Sequence, residues 1–101
     1  MKIKDGFVLR EIPESYNIDD FVLRKTPRSY LVVAVGEGTK TFNGMIQLND
    51  TGALLFKELQ KGATEQELVD AMMKEYNVSK EDAISDVLDF INGLKEANLL
   101  K

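Results

Sequence analysis

Seventeen carboxylates are the abundant acid–base groups of this chain, because it contains no cysteine and no histidine. Without cysteine there is no disulfide, thiolate ligand or thiol nucleophile, and without histidine the common metal ligand and the proton shuttle of neutral pH are missing too. General acid–base work would therefore need a pair of carboxylates. In the C-terminal half, Glu65, Glu67, Glu81 and Asp82 instead occupy expected first turns of helices, where the helix dipole accounts for them. Gly36-Glu37-Gly38 lacks the third glycine of a phosphate-binding loop, and no helix is expected after it, so it reads as a turn. These residues point away from an enzyme, a metal centre and a cofactor-binding protein.

The elements that carry these groups fit one domain. A chain of 101 residues buries roughly two thirds of its unfolded surface and has the commonest domain size. Its hydrophobic content of 44% is ordinary, and no apolar run approaches the ~18 residues of a membrane span. Met1 to Gly6 meets charge and glycine before an apolar core could develop, so a signal peptide is not expected and the cytoplasm is the default location. The net charge of −4 is uneven: residues 1–47 hold seven basic and six acidic side chains, residues 48–101 six and eleven. An acidic helical half repels phosphate, so neither nucleic acid nor a membrane is the expected partner.

Residues 48–68 organise the rest. Leu48 ends an extended stretch, and Asn49 or Asp50 can cap a helix bearing Leu54, Leu55 and Leu59. Gly62 can close that helix in a left-handed conformation, and Thr64 with Glu67 forms a capping box for the next. Leu68, Val69, Met72, Met73 and Tyr76 then recur at helical spacing as core. Ser79 and Asp82 open a third helix with the apolar stripe Ala83, Ile84, Val87, Leu88, Ile91 and Leu94, to which Phe90 adds a shoulder. Asn98 can cap its end, so that Leu99 and Leu100 return to the core.

The N-terminal third contains a tandem repeat. Gly6 to Tyr16 aligns without gaps on Asp20 to Tyr30, seven of eleven positions being identical at an offset of 14. Each copy reads as a short strand, Phe-Val-Leu-Arg, and a proline-containing turn. The second copy runs into the β-branched stretch Tyr30 to Val35, which favours 21–24 and 30–35 as the hairpin, with Thr41 to Leu48 as a third strand carrying a bulge or turn at Asn43-Gly44. The expectation is an α+β, winged-helix-like fold, a three-stranded antiparallel sheet followed by a three-helix bundle. Residues 1–17 would be an extra strand unit or arm on a domain of 18–101. The spare copy, Phe7 to Tyr16, could be exchanged into a second molecule as a homodimer, laid over the open edge of its own sheet, or left as a loosely packed arm.

Two features could be functional. The strand from Thr41 to Gln47 has no interior proline and only Lys40 as a flanking charge, so nothing obvious blunts its edge. The third helix has a broad apolar stripe, which either the small sheet covers or which leaves a groove walled by helix and strand. The sequence from Phe21 to Leu100 resembles the PqqD-like proteins, the pyrroloquinoline quinone biosynthesis D type also called the RiPP recognition element. The resemblance is carried by Leu48-Asn49-x-Thr51-Gly52, Gly62, Thr64-x-x-Glu67-Leu68, Val78-x-x-Glu81-Asp82 and Asp86-Val87-x-x-Phe90. It implies a non-catalytic adaptor that binds the leader segment of a ribosomally made precursor peptide by strand addition and presents it to a modifying enzyme, often a radical S-adenosylmethionine protein. It further implies peptide-binding walls of Phe42, Met45, Ile46 and Gln47 on the strand and Ile84, Val87, Phe90, Ile91 and Leu94 on the helix. A winged-helix DNA-binding regulator and a structural partner domain of an enzyme are the alternatives. Against DNA, the third helix carries Glu81, Asp82, Asp86, Asp89 and Glu96 with only Lys80 and Lys95.

Overall fold

The computed structural model describes residues 1–13, 15–19, 22–26, 29–36, 38–41 and 45–101, with side chains described at 1–13, 29–36, 38–40 and 45–101. Strand β1 (Phe7–Ile12) pairs antiparallel with β4 (Ser29–Ala34), Phe7 opposite Ala34 and Ile12 opposite Ser29. Strands β2 (Ser15–Asp19) and β3 (Val22–Thr26) form a second ladder, Ser15 opposite Thr26 and Asp19 opposite Val22. Both ladders keep one register, so β2 and β3 prolong the β1–β4 hairpin. The interruption falls at Pro13, which has no amide to give to a ladder. On the other side of β4 lies β5 (Met45–Leu48), completing a three-stranded antiparallel sheet in the order β1-β4-β5.

The strand beside β4 is thus the first copy of the repeat, not residues 21–24, and residue 21 itself lies outside the described residues. A close approach of two glycines explains the choice. Gly6 has φ +95°, and a Cβ there would stand 2.4 Å from the Gly38 amide nitrogen. Its carbonyl accepts a hydrogen bond from the Val35 amide at 2.7 Å. The second copy has Asp20 at the matching position, and an aspartate fits neither the backbone angle nor the gap. The preceding residues are built in as well. Ile3 is buried at 3% exposure, its amide donates to the Leu59 carbonyl at 3.0 Å, and the Lys4 amide donates to the Leu99 carbonyl at 2.8 Å. Burying that isoleucine contributes about 1.5–3 kcal/mol, which no loosely packed arm would have. The boundary expected at residue 17 falls inside β2.

A one-turn helix, α1 (Gly38–Thr41), follows the Gly36 turn, where none was expected, and takes the first residue of the anticipated third strand. Phe42 and the anticipated bulge at Asn43-Gly44 lie outside the described residues. The other helices match the sequence pattern: α2 (Asp50–Lys61), α3 (Glu65–Glu75) and α4 (Lys80–Glu96). Asn49 is the cap of α2, its side chain accepting from the Gly52 amide at 2.9 Å. Gly62 closes α2 with φ +95° and ψ 123°, a glycine conformation but not the left-handed helical one. The capping box is complete, the Glu67 amide donating to Thr64 Oγ1 at 3.2 Å and the Thr64 amide to Glu67 Oε1 at 3.0 Å. The Thr64 amide, and after it the Thr64 side chain, hold the Glu67 carboxyl below the usual carboxylate range. That contribution to α3 is present above the unfolded carboxylate pKa and is lost as pH falls through the lower folded one. At the far end of α4, Asn98 has φ +61° and the Leu99 amide reaches back to the Leu94 carbonyl at 2.9 Å, a Schellman closure that buries Leu99 completely.

Helix α2 is the central layer. It packs against β1, β4 and β5 on one side and against α3 and α4 on the other, burying Ala53, Leu55, Phe56 and Leu59. Leu68, Val69 and Met72 of α3 and Ala83, Val87, Ile91 and Leu94 of α4 complete the core, whereas Met73 is exposed. No polar side chain is buried among the described residues, and none of their helices is long and apolar enough to cross a membrane.

The glycine contact makes a prediction. Replacing Gly6→Asp, the residue of the second copy, should lower stability by about 1–3 kcal/mol through the backbone strain alone, and amide exchange of Phe7 to Ile12 should accelerate. Unchanged denaturation midpoint and exchange would show that the contact does not select the first copy.

Candidate functional site

Strand β5 has β4 on one side and, among the described residues, no strand on the other. In an antiparallel strand alternate residues turn both backbone groups outward, so this edge offers a short row of donors and acceptors. The side chains alternate too. Ile46 and Leu48 are half-buried against the core, while Met45 at 67% exposure and Gln47 point to the opposite face.

Across from Ile46 and Leu48 runs α4. Between them lies a depression of about 360 Å³ lined by Ile46, Leu48, Asp89, Phe90, Gly93 and Leu94. A second depression, about 380 Å³, is lined by Asn49, Thr51, Gly52, Leu55, Asp86, Asp89 and Phe90. Asp89 and Phe90 belong to both, so one groove follows β5 and passes the half-buried Phe90 ring toward the start of α2. Its β5 part is apolar apart from Asp89. The α2 part carries two carboxylates and the neutral polar groups of Asn49 and Thr51.

The junction of β5 and α2 holds the wall in place. A Cβ on Gly52 would come within 3.2 Å of Leu48 Cδ2 and 3.3 Å of Leu48 Cβ. The missing side chain lets Leu48 lie on the first turn of α2, while Asn49 caps that turn through the Gly52 amide. The Leu-Asn-x-Thr-Gly sequence is therefore a strand-to-helix corner with a physical reason for each fixed residue but Thr51, which lines the groove.

Of the wall residues named from sequence, Ile46, Phe90 and Leu94 meet in the groove. Met45 and Gln47 do not line it, because strand alternation turns them away. Val87 and Ile91 are turned into the core at 0% and 3% exposure, and half-buried Ile84 falls on the side of α4 away from Phe90. Phe42 lies outside the described residues. Leu48, Asp86, Asp89 and Gly93 also line the groove and were not named, though period two from Ile46 reaches Leu48 and helical spacing from Phe90 reaches Asp86 and Gly93. Among the described residues no three His, Cys, Asp or Glu side chains cluster as metal ligands.

Residues 27–100 match the family described as coenzyme PQQ synthesis protein D. No curated protein matches the chain. Among solved structures, TbiB1 in complex with the TbiA(beta) leader peptide is 26% identical, with TM-score 0.67, and the alignment covers 100% of this chain and 95% of that one. Lasso peptide synthetase B1 complexed with the leader peptide is also 26% identical, with TM-score 0.55 and 93% and 95% covered.

If the Gly52 contact sets the wall, Gly52→Val should destabilise the fold by about 1–3 kcal/mol as an overpacked site and shift the methyl resonances of Leu48. Stability within about 0.5 kcal/mol of the parent, the range of an indifferent surface change, with Leu48 unmoved, would contradict it.

Proposed function

The chain belongs to the coenzyme PQQ synthesis protein D (PqqD) family, and on that premise we propose that it is a leader-peptide adaptor without catalysis of its own. The leader of a ribosomally made precursor adds as a strand to the outer edge of β5 and lays alternate side chains into the groove along α4. Backbone ladder bonds supply affinity for any extended segment, and the groove side chains choose among segments. The observation that carries this reading is the coincidence of a strand edge that is unpaired among the described residues with an apolar groove on the core-facing side of that same strand. The similar structures, TbiB1 and lasso peptide synthetase B1, are complexes with leader peptides.

Ile46, Leu48, Phe90 and Leu94 are the peptide-facing residues in this proposal. Asp86 and Asp89 on the groove side of α4 oppose a phosphate backbone, which sets nucleic acid aside. Delivery of the bound leader to a modifying enzyme, of the radical S-adenosylmethionine type or another, completes the role.

Calorimetric titration with synthetic leader segments of the short peptides encoded beside its gene tests the proposal. One of them should bind, Phe90→Asp should weaken it by at least about tenfold, or ~1.4 kcal/mol, and Met45→Glu on the opposite face should leave it nearly unchanged. Binding to none of them, or equal loss in both variants, would refute the placement in the groove.

A further inference from the structure

Gly93 stands within the 17-residue helix α4, three residues before its end. A glycine in a helix interior weakens it relative to alanine, so a reason for its presence is expected inside the fold. None is found there. A Cβ at Gly93 would meet nothing within 4 Å, and the residue has no positive φ. At Gly6 and Gly38 backbone atoms leave no room for a Cβ, and at Gly52 one would press on the Leu48 side chain. At Gly93 the space left by the missing side chain opens instead into the groove, whose lining there also includes Phe90, Leu94, Ile46 and Leu48.

We propose that Gly93 is the floor of a subsite that takes one bulky apolar side chain of the bound peptide, aromatic or branched aliphatic, and that its lack of a side chain sets the size of residue accepted. The inference rests on the leader-binding reading and goes beyond it by assigning to Gly93 the size limit of that subsite. A strand laid beside β5 sends every second side chain to the α4 side, at intervals of roughly 6.8 Å. One such side chain over Gly93 occupies part of the depression of about 360 Å³, whose lining includes four apolar residues. A small residue there would leave the half-buried Phe90 ring uncovered, and an acidic one would meet Asp89 in an apolar surround. Two residues along the peptide, the next inward side chain reaches the depression bounded by Asp86 and Asp89, which rejects an acidic residue there too.

Panning a displayed library of random twelve-residue peptides on the wild-type chain and on Gly93→Leu tests this, with Gly93→Ala as a graded variant. Both variants should melt at or above the wild-type temperature, since the added Cβ meets no neighbour and alanine and leucine form helix better than glycine. The wild type should enrich peptides with a bulky apolar residue at one position. The best of them should lose at least tenfold affinity for Gly93→Leu and less for Gly93→Ala, and the Leu variant should enrich glycine, alanine or serine at that position. A winning peptide that shifts the methyl signals of Ile46 and Leu94 yet binds wild type and both variants equally would overturn the subsite while leaving the groove reading intact. No enrichment on the wild type would overturn both.

Discussion

Leu48 lies against a helix turn that has no side chain to meet it, and the site depends on that contact. Because Gly52 carries no Cβ, the last residue of β5 packs directly on α2, and α2 in turn packs against α4. The strand edge and the α4 face are therefore held on one central helix at a fixed separation, wide enough to leave a groove and narrow enough for Ile46, Leu48, Phe90 and Leu94 to line it together. Asn49 fixes the same corner from the polar side by taking the Gly52 amide. A corner of this kind positions a binding surface without any buried polar group, consistent with a core whose buried side chains are all apolar among the described residues.

What the sequence makes legible is local. Asn49, the Thr64–Glu67 box, Ser79 and Asn98 each satisfy orphan amides or carbonyls within a few residues, and all four act where their types and spacing place them. The shoulder at Phe90 is legible for the same reason, since helical periodicity puts it off the centre of the buried stripe. What is not legible depends on partners distant in sequence. By pattern both copies suit pairing with β4, and the meeting of Gly6 with Gly38, more than thirty residues away, favours the first over the copy that begins at Asp20. The wall residues of β5 follow the same rule. With the core side of the strand set by Leu48 on Gly52, Ile46 is turned toward α4 while Met45 and Gln47 are turned away. Val87 and Ile91 are likewise claimed by the core.

The tandem repeat also acquires a structural meaning. Its first copy completes the sheet on the side away from β5, and its second copy turns back to prolong the hairpin past Pro13. The β4 strand is thereby paired on both sides within the chain, and among the described residues the outer edge of β5, next to the groove, has no strand beside it. In the proposed role, edge and groove divide the work of recognition: the backbone row holds any extended chain, and the side chains along α4 discriminate.

The most direct measurement is amide hydrogen exchange of β5 with and without a bound leader peptide. Strand addition predicts that the outward-facing amides among Met45 to Leu48 exchange freely in the unbound chain and become strongly protected in the complex, while those paired with β4 change little. A peptide that binds tightly and leaves those amides as exposed as before would contradict the account, because its backbone would then lie somewhere other than the open edge.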